Sequence, residues 1–178
     1  MKVKDADILF VPGSTSLDER HWLARWQGRL STARRVEVAP GDVSDVGRWS
    51  GKIAAAVAAA ERPVVLVAHG SGATTVIRAA GLFSGKVAGA FLVAPALAAA
   101  DGPTPGYPTE PLPFPSIVVA SRNDPDCDFA LAEELAAAWG SLFIDAGHIG
   151  AINAASGHGP WPEGSMTFAR FVSRLSPA

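Results

Sequence analysis

The sequence predicts an α/β fold, doubly wound around a mostly parallel sheet of about six strands. Three observations carry that expectation. Short β-branched or apolar runs recur, each followed by a turn cluster and then a longer stretch at helical period. Most of these runs lack apolar/polar alternation, as expected when helices cover both faces of a sheet. The chain has 178 residues, 48% of them apolar and 18% charged, which suits one compact domain with one sizeable core.

In chain order the strands are read as Ile8 to Val11, Arg35 to Val38, Val64 to Ala68, Ala88 to Val93, Ile117 to Ala120 and Leu142 to Ile144. Helices fill the gaps at His21 to Leu30, about Gly51 to Ala60, Ser71 to Ala80, Phe129 to Trp139 and Thr167 to Leu175. The run Ala54 to Ala60 has high helix propensity and is read as a packed helix, not as low complexity. The long connection Ala96 to Pro115 holds six prolines and two glycines, so it reads as an ordered surface loop beside the site.

Composition excludes several partners. A formal charge of -2 with scattered Lys and Arg gives no footprint for nucleic acid or an anionic membrane. No segment reaches the roughly 20 apolar residues that span a bilayer, and the N-terminal apolar stretch is too short for a signal peptide, so the expected compartment is cytoplasmic. A single cysteine, Cys127, rules out an internal disulfide, and four dispersed histidines give no metal-ligand spacing.

Ligands of open parallel sheets bind beyond the carboxyl ends of the strands, which points to the loops Pro12 to Ser16, Ala68 to Gly72, Ser121 to Asp128 and Asp145 to Ile149. Val64 to Ala73 is a buried strand turning sharply into a helix, with small residues at the turn. This is what a nucleophile elbow requires. Taking Ala68 and Gly72 as the small flanking positions puts Gly70 at the tip. Ser71 is the rival nucleophile, but its flanking residue would be His69, too bulky for the tight turn. With Gly70 at the tip, Ser71 is the first helical residue and its N–H faces the developing oxyanion. The second donor is expected from the glycine-bearing loop after the first strand, at the Ser14 N–H. Without the rest of the chain, Gly70 would equally be a plain turn glycine.

Asp124 follows the fifth strand and His148 the last, giving the order nucleophile position, Asp, His. Asp126 and Asp128 compete for the acid, chiefly as caps for the helix near Phe129. Asp124 is favoured because it lies closest to the strand end. His148, just past a strand and a glycine, is the expected general base. His69 should point into packing under the turn, while His21 and His158 sit near Trp22 and Trp161, where aromatic packing or a hydrogen bond suffices. Cys127 lies among aspartates that would raise its thiol pKa.

Five segments together resemble the small single-domain serine hydrolases of the YdeN and retinoblastoma-binding-protein type within the α/β-hydrolase superfamily. They are Pro12-Gly13-Ser14 with His21-Trp22, the elbow Ala68 to Ala73, Ala120 to Pro125, Gly147-His148-Ile149, and Gly157 to Gly164. The resemblance implies an α/β-hydrolase fold without a large cap domain, a serine at the position of Gly70, an acid at Asp124 and a base at His148. The implied activity is carboxylic ester hydrolysis on a small-molecule substrate through an acyl-enzyme, with no metal or organic cofactor. Ser14 and Ser71 would supply the oxyanion hole. Glycine carries no nucleophile, so the expectation for this chain is a disabled esterase. Acid, base and oxyanion loops that look intact around one missing hydroxyl favour a single deliberate change over a natural non-catalytic member. The alternatives are a binding protein that uses the same crevice, or residual hydrolysis by water activated at His148.

Overall fold

Six parallel strands form one sheet in the order β2-β1-β3-β4-β5-β6. The structure is a computed structural model that describes residues 1–14, 17–83, 85–97 and 107–177. The strands are β1 (Asp7–Val11), β2 (Ala33–Arg35), β3 (Val64–His69), β4 (Val87–Val93), β5 (Ser116–Ala120) and β6 (Leu142–Asp145). The helices are α1 (Trp22–Gln27), α2 (Pro40–Val43), α3 (Val46–Ala58), α4 (Ser71–Ala79), α5 (Phe129–Ala138) and α6 (Pro162–Arg174). The chain runs outward from β1 to β2, then returns to the other side of β1 with β3. The loops after β1 and β3 therefore diverge at a switch point.

Buried strands send alternate residues to opposite faces, and each face has its own core. Leu9, Val11, Leu66 and Ala68 pack with Trp49 and Ile53 of α3, Val76 and Ile77 of α4, Leu135 of α5 and Trp139 just after it. Ile8, Phe10, Val65 and Val67 pack against Trp22 and Trp26 of α1 and Phe168 and Phe171 of α6. This two-sided burial explains why the strands read as continuous apolar runs.

The short helix α2 is absent from the sequence expectation and α1 ends at Gln27, before the expected Leu30; three further boundaries differ from that expectation, each for a local reason. β2 pairs through Ala33 to Arg35, earlier than the β-branched run suggested. Val36 and Val38 are buried because they pack into the core at the end of the strand, where the Val36 N–H still donates to Phe10 O of β1 at 2.9 Å. α3 begins at Val46, where Asp45 Oδ1 accepts from Arg48 N at 3.0 Å, a cap that the alanine run overshadowed. α6 begins at Pro162, a residue suited to the first helical turn. The loop Ala96 to Pro115 lies partly outside the described residues, as do Thr15 and Ser16 of the loop after β1. Of the part described, Tyr107 packs against the core, and the Pro108 carbonyl accepts from Trp139 Nε1 at 2.6 Å.

Candidate active site

The turn from β3 into α4 has the backbone of an elbow. Gly70 sits at φ 59° and ψ -128°, a region that L side chains rarely adopt. Its N–H donates to Val93 O at 3.1 Å, and its carbonyl accepts from Ala73, Thr74 and Ala96 N–H groups. Both neighbours along the chain are therefore fixed. The first turn of α4 leaves the Ser71 N–H without an intrahelical acceptor, available to an incoming oxygen. Gly13 on the β1 loop presses against this turn: a Cβ placed on it would lie 3.0 Å from His69 O and 3.3 Å from Ser71 N. At the tip there is room instead. A Cβ on Gly70 would meet nothing closer than Gly13 Cα at 4.0 Å, so the obstacle to a side chain is conformational, not steric. Gly70→Ser should fold, with a loss of about 1–3 kcal/mol from the positive φ. Urea denaturation checks this, and an unchanged midpoint would mean the turn relaxes freely.

A cavity of about 1040 Å³ opens at the switch point. It brings together Ser14, Gly70, Ser71 and Asp124, four of the five expected site residues. His148 is the fifth, and the structure leaves it outside. It is exposed, makes no side-chain hydrogen bond among the described residues, and does not line the cavity. The reason lies in how its loop is held. Ser121 Oγ accepts from Ile149 N at 3.0 Å and donates to Gly147 O at 3.1 Å, while Asn123 Oδ1 accepts from Gly150 N at 2.8 Å. These bonds fix the backbone on both sides of His148, and the electrostatic neighbour of its imidazole is Asp145, itself paired with Arg122 at 2.6 Å.

From the loop after β6 it is Ala151, with Asn153, Ala154 and Ala155, that faces the cavity. The Ala151 carbonyl accepts from His69 Nε2 at 2.8 Å, so position 151 lies against the residue preceding the elbow tip. No property of an alanine in the sequence signals such a place.

Asp124 is buried, and its Oδ1 accepts from Asp126 N at 2.9 Å. Burial raises its pKa, as does the charge of Asp126, against the lowering effect of the Asp126 N–H. No imidazole contributes. Asp128 Oδ1 caps α5 by accepting from Leu131 N at 2.8 Å, and Asp126 is exposed. Among the three, Asp124 is the buried carboxylate at the end of β5. The Cys127 thiol is pushed up to about 12, by burial first and then by Asp124 and Asp128, so it is no thiolate at neutral pH.

The remaining histidines are structural neighbours of the site. His69 packs edge-on against His21, ring centroids 4.7 Å apart, and burial lowers its pKa. His158 Nδ1 bonds Ser156 Oγ at 2.9 Å, and its carbonyl accepts from Trp22 N at 2.9 Å. Trp22 Nε1 donates to Ile152 O at 2.8 Å, which ties α1 to the loop after β6. His21 also lines the cavity, a placement that the aromatic neighbours in the sequence did not reveal.

A six-stranded parallel sheet with the order found here, an elbow after β3 and a buried acid after β5 define the α/β-hydrolase class. Within it, the chain belongs to the serine hydrolase family, which it matches over residues 8–170. A YdeN-like hydrolase from Pectobacterium atrosepticum is 31% identical, with a TM-score of 0.86 over 98% of this chain and 94% of that one. The ydeN gene product of B. subtilis is 16% identical, with a TM-score of 0.73 over 95% of this chain and 100% of that one. The esterase domain of a Rhodothermus marinus protein is 14% identical, with a TM-score of 0.70 over 98% of this chain and 88% of that one. No functionally curated protein matches the sequence. No described helix is long and apolar enough to cross a membrane, and no cluster of metal-ligating side chains occurs among the described residues.

Proposed function

We propose that this chain binds a small ester-like molecule in the crevice of a carboxylesterase but forms no acyl-enzyme. The observation that carries the reading is the elbow tip, which keeps the backbone of a nucleophile turn while Gly70 offers no side chain. The exposure of His148, outside the cavity that Asp124 lines, supports it. A nucleophilic serine needs an imidazole within hydrogen-bond reach, and the imidazole needs a carboxylate to fix its tautomer. Here the hydroxyl is missing and the carboxylate has no imidazole beside it.

What remains is a binding surface. Ser71 and Ser14 N–H groups are the proposed oxyanion donors, and the described walls are Leu17, Leu97 and Tyr107 among apolar side chains. Contacts made equally to substrate and transition state survive the loss of the nucleophile. A Gly70→Ser chain that also regained a base would be an esterase acting on small carboxylic esters.

The test is intact-protein mass spectrometry after incubation with a fluorophosphonate. The chain as it stands should gain no adduct. An adduct that disappears in Ser71→Ala would place the nucleophile one residue later and sink the proposal.

A further inference from the structure

We propose that His21 is a ligand-positioning residue: a fixed Nε2–H donor on the cavity wall that takes the acceptor oxygen of a neutral carbonyl compound. This inference rests on the reading of the cavity as a small-molecule site.

The proton's location follows from the helix cap. His21 precedes α1, and its Nδ1 accepts the Leu23 N–H at 3.1 Å, so the lone pair is on Nδ1 and the proton on Nε2. The residue is 6% exposed and lines the cavity. Nε2 has no hydrogen-bond partner among the described residues. Nor is it sealed in the core, where the buried polar side-chain atoms without partners are Asp42 Oδ1 and Trp49 Nε1. An N–H donor on a largely buried ring therefore opens onto the crevice.

The ring is held for this purpose. Its backbone N–H donates to Asp18 O at 2.8 Å, its ring packs against those of His69 and Trp22, and Trp22 is pinned through Ile152 O. Burial, with His69 beside it, lowers the imidazole to about 3, so at neutral pH it is an uncharged donor and not a proton source. A helix cap alone would need only the acceptor, which asparagine supplies as well. The second nitrogen is surplus to that role.

The charge of the cavity selects the oxygen. Asp18, Asp124, Asp126 and Asp128 line it, and no Lys or Arg does among the described residues. A free carboxylate would face these groups, whereas the carbonyl of an ester, lactone or amide accepts a hydrogen bond without bringing a charge.

The experiment compares the chain as it stands with His21→Asn, which keeps the cap acceptor and loses the far donor. Phenyl butyrate is the probe, and butyl phenyl ether, similar in shape without the carbonyl, is the control. In the free protein, long-range ¹H–¹⁵N correlation should show His21 as the Nε2–H tautomer. His21→Asn should weaken the ester about tenfold, the worth of one neutral hydrogen bond, and leave the ether unchanged. Equal ester affinity in both chains, or an Nδ1–H tautomer, overturns the assignment while leaving the crevice a binding site. If neither compound binds the unaltered chain, the crevice reading itself fails and His21 falls with it.

Discussion

A chain carrying Gly70→Ser together with Ala151→His is expected to hydrolyse p-nitrophenyl butyrate at least about a hundredfold faster than Gly70→Ser alone, the usual worth of a positioned general base. Ala151 shares the cavity with Gly70 and Asp124, and its carbonyl is held against His69, next to the elbow tip. Because that tie is made by the backbone, a side chain at 151 leaves it in place. An imidazole there would share the cavity with the new hydroxyl and the buried carboxylate, and the expected rate requires that one nitrogen take the serine proton while the acid orients the other. Asp124→Asn in the same background should remove most of the gain. The opposite outcome is equally informative. If Gly70→Ser alone reached the full rate and lost it on His148→Ala, the exposed loop would swing inward on binding, and His148 would be the base.

The second large effect is structural. Gly72→Ala should destabilise the fold by about 3 kcal/mol, at the upper end of overpacking costs. A Cβ at this position would lie 2.5 Å from Val11 O and 2.6 Å from Pro12 O, both backbone atoms that cannot rotate away. To make room, α4 would have to lift from the end of β1, and Ser71 N would move with it. Gly51 is the matched control, a glycine of α3 where an added Cβ would have nothing within 4 Å, so Gly51→Ala should stabilise by about 0.5–1 kcal/mol. Chemical denaturation of the two variants side by side decides the matter, and equal midpoints would mean that β1 and α4 are not locked.

Much of this fold is legible in the sequence because buried parallel strands and amphipathic helices leave strong periodic signals. β3 and α4 begin at Val64 and Ser71, as read. β2 is displaced because Val36 and Val38 carry the propensity of a strand yet are buried by packing at its end. The elbow is legible for a steric reason, since only small residues let a strand and helix meet so closely. The base loop is not. Glycine before histidine after a strand is a pattern that the backbone satisfies at 148, but side-chain direction depends on how Ser121 and Asn123 grip the neighbouring N–H groups, contacts made with residues far earlier in the chain. Nor does the sequence reveal that His148 stays off the cavity that Gly70 and Asp124 share.

The positive φ of Gly70 bears on how such a chain changes over generations. A serine at the tip would hold the backbone in strain, and replacing it with glycine would release about 1–3 kcal/mol to the folded state. That margin lets mildly destabilising substitutions elsewhere accumulate without loss of folding. Each one makes the return to serine harder, since the strain would come back to a molecule with less stability to bear it. A serine-to-glycine change at such a tip would in this sense be a ratchet: the step forward is easy, and the step backward grows more costly with every neutral change that follows.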